Sequence, residues 1–251
     1  MPGGIATSFT VDLTGFNQAM SRYLGFVKPE KIVPVFEQQL KLLMREVIDV
    51  TPFDSLAQGR AVVKRDLYAA MKPYGGEDGA FLGINSLSLR SRLQGYMEKK
   101  DYDSIRKIFE KVGKNSGFQL VDFDVNRHYD NMNADGHPRA DLNVWVLQVE
   151  EWKQYLEHLR GQVGRARGGW ANAARHFGLA LPAWVTRWAG GGYIQLDIAG
   201  PIMSYTMVNR GAFFRSGHYK DKVEYALAQR EKYMEADVRR YLSGAASNVG
   251  F

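Results

Sequence analysis

The chain has 251 residues, 45% of them hydrophobic and 24% charged, with a net charge of +6 and no cysteine. A chain of this kind buries a core without disulfides, and the composition excludes global disorder, thiolate chemistry and cysteine-type zinc sites. The start, Met1 to Thr10, lacks a basic run followed by an apolar one, and no window approaches the ~20 apolar residues of a membrane span. A soluble protein that folds in a reducing cytoplasm and has no membrane partner is expected.

Residues 1–28 are rich in Gly, Ser and Thr with scattered aromatics (Phe9, Phe16, Tyr23, Phe26) and read as an N-terminal arm that orders where it touches something else. Pro29 and Pro34 mark a helix start, and Phe36, Leu40, Leu43 and Val47 recur at helical spacing, which predicts helix from Val35 to Asp49. Thr51-Pro52 stops it, because a residue before proline is pushed out of the α region. Asp54 or Ser55 is placed to cap a second helix with Leu56, Val63, Leu67 and Met71 on one face, ended by Pro73-Tyr74-Gly75-Gly76.

Residues 77–148 read as a largely helical insertion. A short strand is predicted at Ala80–Ile84, then a helix capped by Asn85 or Ser86 to about Glu98, and another capped by Asp101 to about Val112. Gln119–Val125 alternates as a strand does, before a polar loop rich in Asn, Asp and Gly. The clearest helix follows, with Val149, Trp152, Leu156, Leu159 and Val163 as its apolar stripe and Gly161 and Gly164 weakening its last turn. A short helix from Trp170 to Phe177 ends at Gly178, and Pro182 opens a turn containing Trp184 and Trp188. After Gly190-Gly191-Gly192 the period becomes two. Tyr193–Ile198 and Ile202–Asn209 form a predicted antiparallel hairpin around Ala199-Gly200-Pro201. A final helix, about Tyr219 to Leu242, turns Val223, Leu227, Tyr233, Met234, Val238 and Tyr241 inward, with Arg230 interrupting the stripe. The expected fold is α+β: a small antiparallel sheet packed against long helices in one domain over 29–243, with a loose tail at 244–251.

Catalytic patterns are weak. Neither glycine cluster forms a phosphate loop, since Gly75-Gly76 lacks a following Lys-Ser/Thr and Gly190–Gly192 leads into a strand. Ser216, in Arg215-Ser216-Gly217-His218, lacks the elbow of a nucleophile and fits a helix cap better. His128, Asp130, Asp135, His137 and Asp141 are the one cluster with metal-ligand chemistry, but their spacing is loose and falls in a loop. No cofactor, metal or enzymatic activity is expected; a metal-dependent hydrolase at His128/His137 is the least favoured alternative.

The charge distribution is more informative. From His158 to Leu196 there is no acidic residue, whereas Arg160, Arg165, Arg167, Arg175 and Arg187 all fall there. The stretch is either a solvated face or a surface that meets DNA or an acidic partner, with Arg160, Arg165, Arg167 and Arg175 facing it. Trp and Arg are over-represented at subunit interfaces, which makes Trp188, Arg187 and the aromatic pair Phe213-Phe214 candidate interface residues. Trp170 fits a core as well as an interface.

The segment GQVGRARGGWANAARHFGLALPAWVTRWAGGG resembles one that recurs in structural proteins of tailed phages, and VTPFDSLAQGRAVVKRDL is similar to the helical entry of tail-completion (neck) and minor tail protein Z-like proteins. The match covers less than half of the chain, and the long middle region has no counterpart in the minimal form. The resemblance implies a virion component of the head–tail junction or tail that forms ring homo-oligomers. It further implies contacts with neighbouring neck or tail proteins and, where it borders packaged genome, with DNA. A DNA-binding module using Arg160–Arg187 is the alternative.

Overall fold

The computed structural model describes residues 9–10, 29–75, 84, 86–112, 117, 119–132, 143–197, 204–209, 221–230, 232–233, 236–237 and 240. The fold is α+β, as the sequence pattern predicts. The chain divides into two compact units, one from 1–56 with 164–251 and the other from 57–163. The expected insertion at 77–148 lies inside the second unit.

The first unit opens with strand β1, Phe9–Thr10, and helix α1, Pro29–Val50. Leu40, Leu43, Met44 and Val47 are buried along one stripe of α1, the spacing that 3.6 residues per turn dictates. The helix begins six residues earlier than the apolar stripe alone indicates, and Pro34 lies inside it. Its ring is exposed, and in the second turn it removes one backbone hydrogen bond. Past Val50 the Thr51 hydroxyl donates back to the Val47 carbonyl at 2.6 Å, which closes the end that Pro52 enforces.

The same unit contains the antiparallel pair β5 (Gly192–Asp197) and β6 (Ser204–Asn209), in register from Gly192 opposite Asn209 to Asp197 opposite Ser204. The first strand starts one residue before the expected Tyr193, and the expected strand ends at Ile198 and Ile202, with the turn between them, lie outside the described residues. β1 adds to the far side of β6, with Phe9 opposite Asn209. Part of the N-terminal arm is therefore an edge strand of its own chain. A helix over 221–230 buries Val223 and Ala226. It lies antiparallel to α1: Arg230 donates to Glu46 (Nε at 2.8 Å), and seven residues on in one helix and seven back in the other, Gln39 Nε2 donates to Asp237 at 2.6 Å. Tyr233, expected inward, is 56% exposed. Its ring lies 5.4 Å from the Arg230 guanidinium that Glu46 engages, so it flanks that ion pair instead of filling the core. Met234, Val238 and Tyr241 lie outside the described side chains.

The second unit is a small parallel sheet between helices, an arrangement that the hydrophobic periodicity did not predict. Its strands are β2 (Lys72–Pro73), β3 (Gln119–Val121) and β4 (Val144–Val146), in the order β2-β4-β3. Pro73, read as a helix-ending turn, is an edge-strand residue, a position where its missing N–H is tolerated. Central β4 is buried on both faces, as a parallel strand between helices requires. Val144 and Val146 point to a cluster with Leu67 of α2 (Leu56–Ala70), Met71 just after it, and Trp152 and Leu156 of α6 (Val149–Gly161). Trp145 and Leu147 point to the opposite cluster with Tyr74, which follows β2, Leu93 of α3 (Leu87–Glu98) and Ile105 of α4 (Tyr102–Val112).

Local signals explain most element starts. Asp101 accepts from the Ser104 backbone at 3.1 Å and from its hydroxyl at 2.6 Å, capping α4 as expected. Ser86 precedes α3 without a side-chain capping bond. The strand expected over Gln119–Val125 stops at Val121 because Asp124 caps a further helix, α5 (Val125–Asp130), by accepting from Asn126 at 2.9 Å. Of the expected strand at Ala80–Ile84 only Ile84 is described; it is buried and not in a strand.

Candidate functional site

The acid-free arginine segment folds onto the β5–β6 hairpin as a chain of short helices: α7 (Arg165–Gly168), α8 (Ala171–His176) and α9 (Ala183–Thr186), then a 3-10 turn at Ala189–Gly191. Its glycines set how closely these pieces approach. At Gly168 a side chain would collide with the Trp188 Cβ, and at Gly169 with the Asn209 side chain. Gly192 passes so near the Gly169 and Val208 carbonyls that a side chain has no room there either. Asn209, fully buried at the end of β6, donates to the Ala166 carbonyl at 2.7 Å, and Asn172 donates to the carbonyls of Gly192 (2.7 Å) and Ala189 (3.0 Å).

Gly178 ends α8 as the sequence indicates. With φ of +66°, its N–H reaches the Arg175 carbonyl at 3.0 Å while the Leu179 N–H reaches that of Ala174 at 2.8 Å. Trp170 is 1% exposed and belongs to the core.

On this scaffold Trp188 is half-buried, with two cations near its ring. The Arg165 guanidinium lies 5.9 Å and that of Arg187 5.3 Å from the centroid of its ring. Cation–π contacts of this kind hold a long arginine side chain in one place and keep its donors at the surface. The indole Nε1 is buried and has no hydrogen-bond partner among the described residues.

The remaining arginines divide. Arg175 is exposed on α8. Arg160 pairs with Glu157 at 2.6 Å one turn away on α6. Arg167, expected to face DNA or an acidic partner, is turned inward: its side chain is 9% exposed and donates to the Thr51 carbonyl at 2.8 Å. Its approach to Asp54, at 3.3 Å, completes a tether that holds the turn after α1. Phe213 and Phe214 lie outside the described residues.

That turn forms part of a second feature, for which composition gave no signal. Asp49, Val50, Thr51, Pro52, Phe53 and Asp54 line an open groove of about 720 Å³ with Asp221, Lys222 and Tyr225. Phe53 adopts φ of +72°, a left-handed conformation that costs a bulky residue about 1–2 kcal/mol. Tyr225 is 68% exposed on the helix over 221–230.

In the second unit His128 is buried, and its Nδ1 shares a 3.0 Å hydrogen bond with the Tyr155 hydroxyl. Burial holds its imidazole down at about 4, against a smaller upward pull from Asp66. Burial likewise raises the Tyr155 hydroxyl, helped by its hydrogen bond with Tyr129. Asp130 is exposed, and Asp135, His137 and Asp141 lie outside the described residues. Among the described residues no three His, Asp or Glu side chains converge as a metal site, and no helix is long and apolar enough to cross a membrane.

No protein-family model, curated protein or solved structure matches the chain.

Proposed function

We propose that the chain is a structural subunit of a tailed-phage virion that acts at the neck or tail by forming rings through subunit contacts. The observation that carries the reading is the Arg165–Trp188–Arg187 stack, a tryptophan with two guanidinia near its ring in a stretch of sequence with no acidic residue from 158 to 196. Tryptophan and arginine dominate the energetics of protein interfaces because they combine large buried area with directed hydrogen bonding. The stack belongs to the segment that resembles phage structural proteins, and the glycines and Asn172 of that segment, with Asn209 of the hairpin, lock the two together.

A DNA-binding module is the second reading, favoured by the same two arginines and the exposed Arg175. It is weakened by the two arginines that do not join a continuous basic stripe, Arg167 held by Thr51 and Arg160 by Glu157. Steep loss of affinity for duplex DNA with salt, abolished by charge reversal at Arg165, would favour it.

Removing the gene from a phage or prophage that carries it, followed by electron microscopy of the lysate, tests the leading reading. The expected result is unjoined heads and tails or unterminated tails, with the protein found in banded wild-type particles. Normal, infectious particles without it would sink the reading.

A further inference from the structure

We propose that the groove at the turn after α1 and the Arg165–Trp188–Arg187 face are the two halves of one contact that joins successive copies of this chain. The proposal rests on the assembly reading above and names the surfaces that carry it.

Charge is the first argument. Among the described residues the groove presents Asp49 and Asp221 beside Lys222, with Asp54 already engaged by Arg167, whereas the stack presents Arg165 and Arg187, with Arg175 exposed on α8, in a stretch of sequence without an acidic residue. Opposite potentials of this kind steer encounter and set register between subunits. Apolar area is the second. Pro52, Phe53 and the exposed Tyr225 line the groove, and the half-buried ring of Trp188 offers them an aromatic surface to pack against.

Geometry is the third. Arg165 and Arg167 stand two residues apart on α7, so their side chains diverge by roughly 200° around its axis. Arg167 goes to Thr51 and Asp54 at the groove, and Arg165 goes to Trp188. The two surfaces therefore lie on different sides of one short helix, and a single chain cannot satisfy both by itself. A contact between unlike patches repeats from copy to copy and closes as a ring when the rotation allows.

Light scattering on the full-length protein tests this with two charge-reversed variants, Arg165→Glu/Arg187→Glu and Asp49→Arg/Asp221→Arg. Wild type is expected to assemble, and each variant alone to lose at least about tenfold in association. An equimolar mixture of the two is expected to assemble again, because each reversed face then meets its complement; neither a misfolded variant nor a general loss of charge gives that rescue. Two milder changes at exposed positions, Tyr225→Ala and Asp221→Asn, are expected to weaken association without altering the circular dichroism spectrum. Variants that assemble like wild type, or folded variants whose mixture stays monomeric, overturn this contact and leave the assembly reading standing. A wild type that remains monomeric at every concentration overturns both, and one whose arginine face binds duplex DNA instead assigns that face to the genome.

Discussion

Asn209 stands against Gly169 so closely that position 169 has no room for a methyl group. The asparagine is fully buried and its amide is committed to the Ala166 carbonyl, so it cannot swing away without orphaning that bond. Gly169→Ala is therefore expected to cost about 3 kcal/mol or more in chemical denaturation, the range of overpacking plus a lost buried hydrogen bond. Gly178→Ala is the control. It has nothing within 4 Å but a φ of +66°, so only the conformational cost of about 1 kcal/mol is expected. Equal losses at the two sites would show that the contact at Asn209 is not tight.

Arg167 gives a second prediction. Its guanidinium is buried and donates to the Thr51 carbonyl at 2.8 Å. Arg167→Ala is expected to destabilise the protein by about 2–3 kcal/mol, with Arg167→Lys recovering only part, because an ammonium lacks the planar reach. Arg175→Ala, on an exposed side chain, is expected to fall within about 0.5 kcal/mol of wild type. Thermal denaturation of the three variants side by side decides the matter.

Long amphipathic elements were legible in the sequence, as were the Asp101 cap and the Gly178 stop. α1, α6 and the hairpin fall where the periodicity of Leu40-Leu43-Val47, Trp152-Leu156 and the 193–209 alternation places them. The parallel sheet was not, because strands of two or three residues are too short to show a period; the only signal was the uninterrupted apolar run Val144-Trp145-Val146-Leu147. The direction of Arg167 was equally invisible, since a local sequence does not say that a carbonyl more than a hundred residues away needs a donor. The Arg165–Trp188 contact could be anticipated only as composition, because tertiary packing on Gly168 places the ring.

The Glu46–Arg230 pair gives a third prediction. The side chains are 33% and 17% exposed, so solvent screens the attraction and the coupling is modest. The hydrogen bond to Glu46 raises the Arg230 pKa, which keeps the guanidinium charged throughout the accessible pH range. A double-mutant cycle with Glu46→Gln and Arg230→Gln is expected to give about 1 kcal/mol of coupling that shrinks with added salt. Coupling indistinguishable from zero at low salt would mean that this ion pair adds nothing to the contact between the two helices, leaving it to the Gln39–Asp237 hydrogen bond and apolar packing.

The pH dependence of stability should be dominated in the mildly acidic range by His128. Its folded pKa lies at about 4, below the 6.5 of a free imidazole, because burial beside Tyr155 disfavours the charged ring. Above 6.5 the ring is neutral in both states and contributes no slope. As the pH falls below that value the unfolded chain takes up a proton that the folded chain refuses, so stability declines until about pH 4, where the folded form titrates too. Between pH 7.5 and pH 5 the loss amounts to about 2 kcal/mol from this group. Urea denaturation of wild type and of His128→Phe at both pH values checks it. The variant removes the titrating ring and keeps an aromatic of similar bulk, so its stability is expected to fall by about 2 kcal/mol less than that of wild type over the same interval. Parallel declines in the two proteins would mean that His128 is accessible to protons in the folded state, and that its hydrogen bond with Tyr155 does not hold the ring neutral.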